Sequence, residues 1–146
     1  MIKTFRGLLG DDSQDKIRLS TKKGKIGYRI HKFQLMFDKP GTESVENVVK
    51  IFKVIQSSVD GLIDFSDGNL LAASFLSGST SATYPEDITT IFDQEIFNQD
   101  IYITHTDVAG ANSVNYYLEV EVMSLTDNAA AVSTIRDIRV NPQVGA

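Results

Sequence analysis

Apolar and polar residues alternate at every second position through several stretches of this chain, a period that belongs to half-buried β-strands. The clearest case runs from 115 to 125, where Tyr116, Leu118, Val120 and Val122 alternate with Tyr117, Glu119, Glu121 and Met123. The spacing predicts a strand with the first set in a core and the second facing solvent or a partner. A second stretch alternates with a fault in it. Ile26, Tyr28 and Ile30 share one parity, whereas Phe33, Leu35 and Phe37 share the other. A phase change near His31 and Lys32 predicts a β-bulge or a strand passing between sheets.

Further strands are expected over 2–8, 16–21, 48–56, 70–76, 88–93 and 132–140. Between them stand turn-forming runs such as "TKKGK", "DKPGTES", "DFSDGN", "LSGSTSATYPED", "DVAGANS" and "TDNAA". Strands separated by such short turns predict an all-β chain, a single-domain β-sandwich of jelly-roll type with about eight strands, rather than βαβ units. One stretch competes as helix, because Val45, Val48, Val49, Phe52 and Ile55 fall three or four positions apart. Its β-branched content favours the strand. Residues 91–107, "IFDQEIFNQDIYITHTD", read as the end of one strand, a polar corner at Phe97–Asp100, and a new strand from Ile101. Gln94, Asn98 and Gln99 suit a loop bonding its own backbone.

With 146 residues, 42% hydrophobic and 23% charged, the chain can bury a sizeable core as one domain, 1–146. It has no cysteine, which excludes disulfides, zinc–cysteine sites and iron–sulfur clusters. The net charge of -5 argues against nonspecific binding to nucleic acid. Basic residues crowd the N-terminal quarter (Lys16, Arg18, Lys22, Lys23, Lys25, Arg29, Lys32) and acids dominate 86–127. Such a basic patch reads as a solvated face. The N-terminus lacks an apolar run suited to a signal peptide, and no segment approaches membrane-spanning length, so no membrane role is expected.

Candidate chemistry is sparse. Asp60, Asp64 and Asp67, followed by Gly68 and Asn69, invite comparison with a calcium loop, but the spacing is wrong and no glutamate closes it. Asp67-Gly68-Asn69 reads better as a tight turn with Gly68 at positive φ. His105 shares the parity of Ile101 and Ile103 and is expected to lean inward, its nitrogens held by backbone or hydroxyl groups. His31 is expected to be exposed. Neither has the companions that catalysis requires. Glu119 and Glu121 share one strand face and read as solvated acids. No phosphate-binding or nucleophile-elbow motif is present. Without tryptophan, a sugar platform would fall to Tyr84, Tyr102, Tyr116 or Tyr117. The residues nominate no catalytic, cofactor-binding or metal-binding side chain, and no enzyme or cofactor is expected.

The segments "MIKTFRGLL", "KIGYRIHKFQLM", "IDFSDGNLLAASFL", "TTIFDQEIFNQDIYITHTD", "NYYLEVEVMSL" and "VSTIRDIR" resemble small virion proteins of marine bacteriophages. The resemblance covers most of the chain and assigns no functional residue. It implies a capsid-associated β-sandwich in the virion: a shell decoration or a vertex, head–tail or tail component. Its partners would be the major capsid protein, other virion proteins and copies of itself. Residues 1–15 and 140–146 are then natural extended arms. The rival expectation is a carbohydrate-binding β-sandwich used in host attachment, and a small hydrolase on the same scaffold ranks third.

Overall fold

In the computed structural model, which describes residues 1–21, 24–42, 44–79 and 85–125, the alternating stretches form strands. They are β1 (Ile2–Leu9), β2 (Ser13–Ile17), β3 (Ile26–Phe37), β4 (Val45–Phe52), β5 (Leu70–Gly78), β6 (Glu86–Ile91), β7 (Ile101–Asp107) and β8 (Val114–Ser124). Two antiparallel sheets result, one of order β1-β8-β3 and one of order β2-β7-β4-β5-β6. The chain is an all-β sandwich. A jelly roll is a folded antiparallel ribbon whose nested pairs are β1·β8, β2·β7, β3·β6 and β4·β5. Three of these pairs are hydrogen-bonded ladders here. The fourth is not, because among the described residues β6 bonds only to β5 and leaves β3 as a sheet edge.

The core lies between the sheets. Leu118 and Val120 of β8 meet Val49, Ile51, Ile101 and Ile103 of the opposite sheet, all six without solvent exposure. Each such side chain contributes about 1.5–3 kcal/mol on leaving water. The alternation of β8 is reproduced, with Tyr116, Leu118 and Val120 buried and Tyr117, Glu119 and Glu121 on the outer face. The fault in β3 is a bulge between Ile30 and Lys32. One unmatched residue, His31, keeps Tyr28 and Ile30 on one side of it and Phe33 on the other in the same core.

The N-terminal segment 1–15 is not an extended arm. Residues 2–9 form β1 along residues 114–121 of β8, and Phe5 and Leu9 supply the inward alternation that binds it to the core. The chain then turns at Gly10–Asp12 into the other sheet, with Asp12 in the left-handed region at φ 53°. The strand expected over 16–21 lies earlier, at 13–17, because Asp100 Oδ1 accepts the backbone N–H groups of Leu19 and Ser20 and so ends the ladder. The strand expected over 48–56 ends at Phe52, where the Lys53 N–H turns to the Asn69 carbonyl. The strand expected over 132–140 and the arm at 140–146 lie outside the described residues.

Candidate functional site

Both faces of β4 are covered, one by the core and the other by the connection 53–69 that crosses back over it. Two lysines lie beneath this crossing. Lys50 Nζ donates to Asp60 Oδ1 (3.1 Å) and to the Leu62 carbonyl, and Lys53 Nζ donates to Glu95 Oε2 (3.1 Å). The three aspartates of the crossing serve its own turns. Asp60 accepts Leu62 N–H beside Lys50, Asp64 accepts Ser66 N–H and hydroxyl, and Asp67 accepts Asn69 N–H. The Lys50 and Leu62 donors hold the Asp60 carboxyl below its usual range, and the Ser66 donors do the same for Asp64. A hollow of about 190 Å³ lies among Lys50, Asp60, Asp64 and Asp67. Among the described residues, no three acidic or imidazole groups converge as metal ligands. The turn is as expected, but Gly68 is not at positive φ. Those conformations fall on Gly24 and Gly41, because the side-chain caps from Asp64 and Asp67 shape this turn instead.

The outer surface of the same crossing is apolar. Leu62 is 76% exposed, Phe65 55% and Ile63 41%, and Val108 at 57% abuts Gly61. Phe65 sets its edge against Phe92, which packs on the small cluster of Phe52, Leu70 and Ala73. The result is an apolar crest that shares its segment with Asp60, Asp64 and Asp67, and apolar surface rimmed by polar groups is a mark of interaction sites.

A second assembly of polar groups ties the two sheets at the β1–β2 corner. His105 is fully buried, with Nδ1 2.8 Å from the Gly10 carbonyl and Nε2 2.9 Å from the side-chain amide of Asn47. The Gly10 carbonyl only accepts, so Nδ1 carries the proton and Nε2 accepts. Turning the Asn47 NH₂ towards Nε2 supplies that donor and also partners the otherwise unsatisfied Asn47 Nδ2. Asp107 is 3% exposed. Its carboxylate accepts the N–H groups of Glu46, Ala109 and Asn112 and the Asn112 side-chain amide. Burial works to raise its pKa, but these donors outweigh burial and the net displacement is downward. Asp11 and Asp12 complete the knot by accepting Asp107 N–H and the Thr106 hydroxyl. The groups here are committed to bonds within the fold, most of them to backbone.

The third feature is a cleft of about 450 Å³ between β3 and β6, where the jelly-roll ladder is open. Phe33, Gln34, Leu35 and Met36 of β3 form one wall, Asp87 and Thr89 of β6 the floor, and Tyr117 adjoins the rim. The Thr89 hydroxyl is bonded to Ser74 at 2.7 Å. Tyr117 donates to Glu119 Oε2 at 2.6 Å, which raises its own pKa, and Lys32 Nζ stands 6.0 Å from its ring centre. Tyr116 turns inward and packs over Gly7.

His31 is exposed at the bulge, 4.0 Å from Glu119, and Glu121 pairs with Arg29 at 2.8 Å, which lowers the acid's pKa. The corner 97–100 is present, but its bonds reach across the molecule. Phe97 pairs with the Tyr28 backbone, Asn98 donates to the Gly24 carbonyl, and Asp100 caps 19–20 while meeting Lys16 at 3.3 Å. Tyr84 lies outside the described residues. Lys50, Lys53 and Asp87 carry no local sequence signal, since their partners are ten or more residues away or their surroundings are set by sheet order, whereas Asp107 finds Ala109 and Asn112 nearby and Glu46 at a distance. Neither protein-family models nor curated protein sequences give a match to this chain.

Proposed function

We propose that the chain is a non-enzymatic structural protein of a bacteriophage virion, acting through contacts with a capsid or with copies of itself. The observation that carries the reading is the apolar crest of Leu62, Ile63, Phe65 and Val108 on a rigid sandwich. Burying such a surface against another protein is its natural use. Two further features support it. The buried histidine and acids serve bonds within the fold, and the sequence segments resemble small virion proteins. A host-attachment role through carbohydrate is the weaker reading. Tyr117, the half-buried tyrosine at the rim of the cleft, shares its hydroxyl with Glu119 and lies beside Lys32, so it offers a poor sugar platform.

The test is incorporation. Virus particles encoding this gene should contain the chain in a fixed ratio to their major capsid protein, as read by quantitative mass spectrometry. A Leu62→Asp, Phe65→Ser variant should keep the fold and lose incorporation. Absence of the wild-type chain from purified particles would overturn the reading.

A further inference from the structure

We infer that the open edge of β3 is a docking groove for an extended peptide strand, one that carries a lysine or arginine between apolar residues. The chain of observations begins with backbone direction. The Val122 N–H reaches the Met1 carbonyl (2.8 Å) on the β1 side, and the Leu125 N–H reaches Lys25 (2.7 Å) on the β3 side. Even-numbered residues of β8 thus bond towards β1 and odd-numbered ones towards β3. Gln34 and Met36, opposite Tyr117 and Asn115, direct their backbone groups to β8. Phe33 and Leu35 direct theirs the other way, into the cleft. On that side only Tyr28 is matched, by Phe97, and among the described residues nothing pairs with Phe33 or Leu35.

The groove has the dimensions of a missing strand. A strand residue rises about 3.3 Å, lies about 4.8 Å from its neighbour and about 10 Å from the facing sheet, or roughly 160 Å³ each. The cleft volume of about 450 Å³ therefore admits roughly three residues. It sits where the fourth strand of the smaller sheet stands in a closed jelly roll. The larger sheet already provides the floor, so the occupant must be a single extended segment. A whole sandwich would bring its own second sheet into collision with β6. Side chains then select the sequence. An antiparallel strand bonded to Phe33 and Leu35 points alternate residues at the floor, where Asp87 has no bonded partner among the described residues. A cation belongs there. The intervening residues face outward beside Met36, which is 63% exposed, and suit an apolar side chain. Strand addition of this kind takes affinity from main-chain bonds and specificity from alternate side chains.

This inference rests on the reading of the chain as an interaction module, not on the particle it joins. The probe is a capped heptapeptide with central lysine, valine on each side of it, and serine or threonine elsewhere. It is titrated into the isotopically labelled full chain and followed by amide shifts. The Phe33 and Leu35 amides should move most. N-methylation of the peptide's lysine, whose N–H would face β3, should abolish the shifts, and N-methylation of a valine should leave them. Exchanging lysine for glutamate should weaken binding by roughly fivefold, and Asp87→Asn should erase that difference. The inference is overturned by silent Phe33 and Leu35 amides at about 5 mM peptide, by indifference to the N-methyl position, or by a lysine preference that survives Asp87→Asn. A chain that enters particles but ignores the peptide loses this groove and keeps the structural role. The reverse pair of results does the opposite.

Discussion

Removing the Asp107 carboxylate should be among the most damaging single changes at a polar position. Asp107→Ala leaves the N–H groups of Glu46, Ala109 and Asn112 and the Asn112 amide without their acceptor. An orphaned buried donor costs about 1–3 kcal/mol; water can satisfy the N–H of the exposed Ala109, and the other three at the low end give about 3 kcal/mol. Asp107→Asn keeps one oxygen for two of the four donors and should cost about half as much. Against a total stability of about 5–15 kcal/mol, both effects are easily measured. With a urea slope of about 2 kcal/mol per molar, the midpoint should fall by about 1.5 M for Asp107→Ala. The pH dependence gives an independent check. The folded pKa lies below the unfolded one, so the carboxylate's contribution is fully present above the unfolded pKa and is lost as pH falls through the folded value. Acidification below about pH 4 should therefore destabilise the wild type more than Asp107→Asn. A midpoint for Asp107→Ala within 0.2 M of wild type, roughly the spread of ordinary surface changes, would refute the account of this knot.

Other outcomes follow from the same geometry. Val120→Asp places an unpaired carboxylate at a fully buried position and should prevent stable folding, whereas Glu119→Gln, which still accepts from Tyr117, should leave the melting midpoint nearly unchanged. Asp60→Ala leaves the largely buried Lys50 ammonium with the Leu62 carbonyl but no counter-charge, and should cost about 1–3 kcal/mol by urea denaturation. Lys50→Met leaves only a half-exposed acid that water can solvate, and should cost less. Gly78→Ala would set a Cβ 2.7 Å from the Phe37 ring and should lower stability by about 1–2 kcal/mol, while Gly10→Ala, with open space around it, should be near neutral. Calorimetric melting of the pair would decide that point.

What the sequence makes legible depends on how far the cause lies from the residue. The alternation in β8 and the phase fault in β3 are local, and both appear in the structure at the expected residues. So does the inward lean of His105, which follows from its parity with Ile101 and Ile103. β4 is harder to read, because the crossing 53–69 buries its outer face as well and removes the polar half of the alternation. That is why its apolar positions mimic a helix. The role of Asp107 is divided: its bonds to Ala109 and Asn112 are those of a local Asx turn, but the bond to Glu46 spans 61 residues and has no local mark. The cleft is harder still, because the choice of β6 to bond β5 alone is a matter of sheet order and no local pattern encodes it. The N-terminal segment misleads for a related reason. Its charged strand residues, Lys3 and Arg6, are exposed on a strand whose inward residues, Phe5 and Leu9, do the anchoring.

The bulge at His31 is an insertion that β3 carries without using its side chain. Its imidazole is exposed and touches Glu119 only at the edge of ion-pair range, so most other side chains would serve in its place. Ile30 and Lys32 face the consecutive β8 residues Val120 and Glu119, which leaves His31 without a partner of its own in the ladder. A deletion confined to it would join the two halves of β3 in the pairing they already hold, with Tyr28, Ile30, Phe33 and Leu35 on one parity. A loss at a paired position of β8 would instead shift half of that strand by one and turn its apolar residues to water. A gene evolving through small in-frame losses would find a tolerant codon at His31 and an intolerant run along the strand beside it.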